Sequence, residues 1–209
     1  MKLISTCITD NAAIPAECAF CVPDAKKHVA LSRNLNPDFA WTGLPEGTKS
    51  LALICVDRDV PSRGDDVNNE ERTVPADLPR VNFYHWALID LPPNNGPIGK
   101  GEFSSKVVPK GKGGPMGPRE TRQGLNDYTG WFAADHDMGG DYFGYDGPCP
   151  PWNDSIPHRY VFTLYALDID KVPVRGNFTA PDVLRAIEGH ILDKASLEGH
   201  YTMNPAVKL

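Results

Sequence analysis

Two aspartates and two histidines are the side chains in this sequence best placed to share chemistry. Asp57 and Asp59 alternate within Asp57-Arg-Asp-Val-Pro61. In extended backbone, residues two apart point to the same side. Carboxylates held that close raise one pKa or recruit a cation or an imidazolium. Taken alone, the segment reads first as a solvated turn. His85 sits in Val81–Asp90 (VNFYHWALID), where a single histidine more often serves structure than binding. His158 and Arg159 arrive from a different part of the chain, within Gly144–Leu167, GYDGPCPPWNDSIPHRYVFTLYAL.

Other chemistries find less support. Cys18-Ala-Phe-Cys21 has CxxC spacing, but no second CxxC or paired His completes a zinc site and no βαβ pattern surrounds it. The five cysteines are odd in number and one lies in a hydrophobic strand, so they read as reduced structural thiols rather than a disulfide framework. His136 lies between Asp135 and Asp137, but neighbours in sequence rarely converge on one ion, and no metal or cofactor is expected. A hydrolase would need an activated nucleophile. No GxSxG elbow or HExxH helix occurs, and Ser155 has no evident base.

The elements that must position these groups are strands. Ser50–Val56 (SLALICV) is a buried strand running into the aspartates. Val81–Asp90 is a central strand, with alternation setting Phe83, His85, Ala87 and Ile89 against Tyr84, Trp86 and Leu88. The stretch from Gly144 begins as turn chemistry, rich in Gly and Pro. It becomes an aromatic and β-branched strand over Arg159–Leu167, which turns Arg159 away from the side of its neighbour. Lys2–Thr9 alternates weakly and suits an edge strand, and Phe39 and Trp41 suit core packing. Thr179-Ala-Pro-Asp182 resembles a capping box. Val183, Leu184, Ile187, Ile191 and Leu192 at helical spacing predict a C-terminal helix ended by Gly199. Ser62–Arg80 and Leu91–Arg122 read as long surface loops. The second carries Lys100, Lys106, Lys110, Lys112, Arg119 and Arg122 against Glu102 and Glu120, a local charge of +4. That is either a solvated loop or a basic lip for an anionic ligand. The acidic, glycine-rich residues around Asp135–Asp141 read as flexible.

The 209 residues suffice for one domain with a sizeable core, and no linker or repeat divides them. The 19 Gly and 20 Pro are scattered without a period, which fits many turns between short strands. A net charge of −6 argues against nucleic-acid binding. The N-terminal residues lack the apolar core of a secretory signal and no run spans a membrane, so a cytoplasmic location is expected.

Three segments together resemble the phosphatidylethanolamine-binding protein family, above all its bacterial, Raf-kinase-inhibitor-like branch. They are Asp57-Arg-Asp-Val-Pro61, His85-Trp86 and the GYDGPCPP…HRYVFTLYAL block. Asn36–Trp41, Gln123–Tyr128 and Leu184–His190 add to the likeness, which spans roughly 29–201. The resemblance implies a single, mainly β domain over 1–209: an antiparallel β-sandwich with a few peripheral helices and cis-prolyl bonds in the motif turns. It implies a non-enzymatic protein with a small anion pocket for phosphate or phosphorylated head groups. Carried over by position, that pocket uses Asp57, Asp59, Pro61, His85, Gly144, Gly147, Pro148, His158 and Tyr160. Regulation of a partner protein, protease or kinase inhibition and homodimers also occur among such proteins, and a hydrolase using the Asp/His cluster is the rival reading.

Within such a pocket, an aspartate would favour the protonated form of His85 or His158, which would donate to a phosphate oxygen. Affinity would then rise as pH falls from about 8 to 6. This chain departs from the family pattern in three places. Arg58 and Val60 replace the Pro and Ala of the usual Asp-Pro-Asp-Ala-Pro, making a basic rim. Trp152 begins a segment that is glycine-rich in many members, and is placed to cover the pocket. Thr129–Phe143 is longer than usual.

Overall fold

The computed structural model describes residues 1–94 and 96–209; Asn95, inside the expected Leu91–Arg122 loop, lies outside the described residues. The strands in chain order are β1 (Lys2–Ile4), β2 (Ala12–Ala13), β3 (Cys21–Asp24), β4 (His28–Leu31), β5 (Ala40–Thr42) and β6 (Ser50–Pro61). They continue with β7 (Arg80–Leu91), β8 (Gly111–Lys112), β9 (Arg122–Gln123), β10 (Asp141–Tyr142), β11 (His158–Leu167) and β12 (Ile191–Tyr201). Two short α-helices, α1 (Tyr128–Trp131) and α2 (Ala180–Ala186), and two 3-10 turns, Ala16–Cys18 and Pro118–Glu120, make up the rest among the described residues.

The main sheet runs β2-β12-β11-β6-β7-β9, with three two-stranded sheets, β1-β5, β3-β4 and β8-β10, around it. Alternation along β6 explains the layers. Leu51, Leu53 and Cys55 enter a large core cluster shared with Leu3, Cys21 and Tyr142 of the small sheets. Ala52 and Ile54 face the other way, into a smaller cluster with Val183 and Ile187 around α2. The fold is mainly β, as the many short apolar runs predict.

Simple alternation fails in β7. Cys55 pairs with Trp86 and Val56 with Tyr84, so His85 is an extra residue on one side of the ladder. This β-bulge shifts the pleat by one position. Phe83 therefore packs on the same large cluster as Trp86 and Leu88, while Tyr84 joins Ala87 and Ile89 in the smaller one.

The C-terminal helix is shorter than predicted. Thr179 N–H and Oγ1 both donate to Asp182, at 2.8 and 2.7 Å, so the capping residues behave as expected. The helix stops at Ala186, and Gly189 turns the chain at φ +85°. Ile191 and Leu192, each 41% exposed, belong to β12 rather than to a helical face. Ala195, Leu197, Gly199 and Tyr201 alternate inward along that strand, and pairing with β11 over ten positions decides its conformation. Gly199 lies within the strand, where a Cβ would strike Ile14.

The cysteines differ from expectation as well. Cys21 and Cys149 form a disulfide across 128 residues, leaving Cys7, Cys18 and Cys55 free. A pair so distant in sequence has no spacing signature; only the fold brings β3 beside the proline loop. The cis peptide bond falls at Gly114–Pro115 rather than in the motif turns. Among the described residues no helix is long and apolar enough to cross a membrane.

Candidate functional site

A cavity of about 440 Å³ opens where the ends of β6, β7 and β11 meet the loop before β11. Its floor is made by Asp57, Pro61, His85, His158 and Tyr160. Its walls are largely apolar, formed by Phe20, Val29, Phe83, Tyr128, Phe132 and Met138. The aromatic wall is one packed unit, with Phe20 and Phe132 flanking Tyr128 at 4.6 and 5.5 Å between ring centroids.

The floor is polar and internally charge-balanced. His158 is fully buried, with Nδ1 2.7 Å from Asp57 and Nε2 3.1 Å from Asp154. Burial disfavours its charge, but the Asp57 charge and hydrogen bonds to Asp154 and Asp57 outweigh that and raise its pKa to about 9. Asp154 also binds Arg80, at 2.6 and 3.1 Å. Burial alone would raise the Asp154 carboxyl; the bonds from His158 and Arg80 hold it below its usual value. Two carboxylates are thus matched by an imidazolium and a guanidinium.

His85 is different. Its Nδ1 lies 2.7 Å from the backbone oxygen of Asp146 and donates to it, which makes Nε2 of the neutral ring an acceptor. Burial lowers its pKa, so the neutral form dominates at neutral pH. Tyr160 pairs in register with Asp57 on the neighbouring strand. Its hydroxyl is buried at the cavity floor beside Asp57 and, among the described residues, meets no acceptor in good hydrogen-bond geometry, an arrangement rare in proteins because it forfeits solvation.

Several candidate residues lie elsewhere. Asp59 does not line the cavity: both oxygens accept from the Arg159 side chain, at 2.9 and 2.8 Å, and Oδ2 also accepts the Arg159 N–H. Burial would raise the Asp59 carboxyl, but these bonds lower it. The two aspartates stay neighbours, with Asp59 N–H donating to Asp57 Oδ1 at 2.8 Å, but their carboxylates take different cations, His158 and Arg159. Arg58 is exposed and makes no rim. Gly144, Gly147 and Pro148 form the support behind the cavity. Gly144 adopts φ +82° against the Gln123 carboxamide, and a Cβ at Gly147 would come within 2.0 Å of Cys18 O. Pro148 O accepts from Phe20 and Cys21 N–H, at 2.9 and 3.2 Å. Trp152 does not cover the opening; it stacks on His28 with ring centroids 4.0 Å apart.

Four of the six cations of the expected basic lip are held in ion pairs. Lys100 binds Glu17, Lys112 binds buried Asp146, Arg119 binds Glu102 and Arg122 binds Asp90. None lines the cavity. Ser155 Oγ donates to Val74 O at 2.7 Å. The Asp135–Asp141 stretch is ordered by Asp135, which accepts from Asp137 and Met138 N–H at 2.9 Å each. Among the described residues no group of three His, Cys, Asp or Glu is disposed to hold a metal.

Three supports were not picked out from the sequence. Asp154 is one. The second is a knot around Asp146, fully buried and accepting from Asn34 and Asn126 at 2.6 and 2.8 Å, which fixes the carbonyl that orients His85. Burial raises this carboxyl against the pull of Lys112. The third is Asn153. Its Nδ2 reaches the carbonyls of Asp66, Asn69 and Arg72 at 2.8, 3.1 and 2.8 Å, and its Oδ1 accepts Asn68 N–H at 2.9 Å. Asn153 thereby ties the Ser62–Thr73 loop, which supplies Ser62, Arg63, Gly64, Val67 and Asn68, to one side of the cavity. The Trp152–Pro157 departure is thus explained as the anchor of that loop.

Comparison with known proteins places this arrangement. A "UPF0098 protein" of Methanothermobacter thermautotrophicus is 30% identical over 203 residues, which cover 96% of this chain and 98% of that one. YbhB, a UPF0098 protein of Escherichia coli, is 28% identical over 97% of this chain and all of its own length. CT736 of Chlamydia trachomatis, described as a phosphatidylethanolamine-binding protein homologue, superposes with a TM-score of 0.63 at 25% identity, covering 96% and 95% of the two chains. E. coli YbcL shares the fold, with a TM-score of 0.64 at 22% identity over 96% and 97%. The family model described as phosphatidylethanolamine-binding protein matches residues 4–202, from the end of β1 to just past β12. With every wall of the cavity inside that match, the chain belongs to the phosphatidylethanolamine-binding protein family.

Proposed function

We propose that this chain is a non-enzymatic binding protein whose cavity takes a ligand with a phosphate-like head and an apolar body. The observation that carries this reading is the Tyr160 hydroxyl, buried at the floor beside Asp57 and, among the described residues, without an acceptor in good hydrogen-bond geometry. A phosphate oxygen supplies the missing acceptor. Asp57 does not repel the head as an isolated carboxylate would, because His158 neutralises it at 2.7 Å. A singly protonated phosphate also carries a donor of its own, which Asp57 or His85 Nε2 accepts. The apolar wall of Phe83, Tyr128, Phe132 and Met138 then packs the rest of the ligand.

The pH dependence follows from which group titrates. His158, with its pKa near 9, stays charged between pH 8 and 6 and does not drive binding there. His85, with its pKa lowered, is neutral over most of that range. The ligand titrates instead: phosphate monoesters gain their second proton near pH 6. Calorimetry with phosphorylethanolamine, phenyl phosphate and inorganic phosphate tests this. Affinity should rise as pH falls from 7.5 to 5.5, and phenyl phosphate should bind tighter than inorganic phosphate. Tyr160→Phe should weaken phenyl phosphate about tenfold, the worth of one hydrogen bond to a charged group. Binding that ignores Tyr160→Phe, or affinity that falls with acidification, would remove this reading.

A further inference from the structure

The Cys21–Cys149 disulfide has a position that the binding reading does not use. Both cysteines line the cavity, and neither Cys7, Cys18 nor Cys55 does. Cys149 is half-buried, between Pro148 and Pro150, whereas Cys21 is only 3% exposed. Cys149 is therefore the more exposed residue of the bridge. We propose that this disulfide is a thiol-exchange site, reached through the cavity, whose co-reactant is a low-molecular-weight thiol of the glutathione class.

The chemistry is ordinary exchange. A thiolate attacks Cys149 Sγ, a new sulfur–sulfur bond forms, and the Cys149–Cys21 bond breaks. Its electron pair leaves on Cys21 Sγ, which takes a proton from water. A second thiolate attacks the mixed disulfide and releases Cys149 as a thiol. In sum, two small thiols are oxidised to their disulfide and the protein disulfide is reduced to two thiols. The CxxC partner is a poor competitor for either step: Cys18 is buried, and burial pushes its thiol up to about 12, so it offers almost no thiolate.

The wall does not depend on the sulfur bridge alone. Phe20 and Cys21 N–H donate to Pro148 O, and Tyr145 Oη donates to Cys18 O at 2.7 Å. Exchange can therefore proceed with the loop still docked. The adduct occupies the same space as a ligand, so thiol and ligand exclude one another. This exclusion rests on the binding reading above; the exchange itself does not.

Three measurements on the intact protein test the proposal. Alkylation of unfolded, unreduced protein should label three cysteines, Cys7, Cys18 and Cys55; five labelled cysteines would overturn it. Folded protein incubated with reduced glutathione and then mapped by mass spectrometry should carry the adduct on Cys149. Adducts confined to Cys7, or an intact Cys21–Cys149 pair throughout, would equally overturn it. Saturating phenyl phosphate should slow the Cys149 adduct at least fivefold. An unchanged rate with phenyl phosphate bound would refute the shared cavity. Failure of phenyl phosphate to bind would count against the binding reading while the first two measurements still decide the exchange.

Discussion

At the scale of single residues, the buried charge on His158 is the feature with the clearest consequence for stability. Its folded pKa of about 9 lies above the ordinary 6.5. The stabilisation from that charge is therefore complete below pH 6.5 and is lost as pH rises through 9. Urea unfolding of the wild type should weaken across that window by on the order of 3 kcal/mol at most. His158→Gln should show a flatter profile there. Parallel profiles for the two proteins would mean that His158 does not carry the charge. Asp57, His85 and His158 of this floor stand out by their types, whereas Pro61 and Tyr160 are implied only by the family resemblance. The partners of the charged groups do not stand out. Asp57 meets His158 and Asp59 meets Arg159 where β11 runs beside β6, and partners 101 and 100 residues away leave no signature in local alternation. Asp154 carries no local signal because its partner Arg80 lies 74 residues away.

At the scale of elements, the Ser62–Thr73 loop shows how one side chain can substitute for regular structure. Asn153 makes four hydrogen bonds to its backbone, and Trp152 braces the same rim through His28. Asn153→Ala would leave three carbonyls without that donor. It should cost about 2 kcal/mol and make residues 62–73 the first site cut by limited proteolysis. A cleavage pattern identical to that of the wild type would show that the loop is held by other means. The three long central strands were legible because each is a dense run of apolar and aromatic residues. β12 was not. Ile191 and Leu192 continue the helical spacing of α2 across Gly189 and mask the period-two pattern of Ala195, Leu197, Gly199 and Tyr201 that follows. Pairing with β11 settles the matter, and that is a tertiary effect.

At the scale of the whole molecule, the disulfide closes a ring of 128 residues. The chain-entropy model gives a cross-link of that span about 5 kcal/mol at its limit. The double variant Cys21→Ser/Cys149→Ser should lose a substantial part of this in denaturant unfolding against the oxidised wild type, and reduction of the wild type should reproduce the loss. Equal stability in all three states would show that the bridge does not constrain the unfolded chain. Disulfides persist in oxidising surroundings, so the cysteines lend no support to the cytoplasmic location expected from the N-terminal residues. The strand order carries a consequence for synthesis. β6 pairs with β7 soon after both are made, but its other edge waits for β11, where Tyr160 meets Asp57 across 103 residues (160 − 57). Until then the run Leu51–Cys55 presents open backbone on one side. Such an edge is a template for foreign strands. A nascent chain must therefore keep its most apolar strand half-paired until the last quarter of the sequence leaves the ribosome, and a fragment ending at residue 150 should collect in aggregates, where the full chain closes its own sheet.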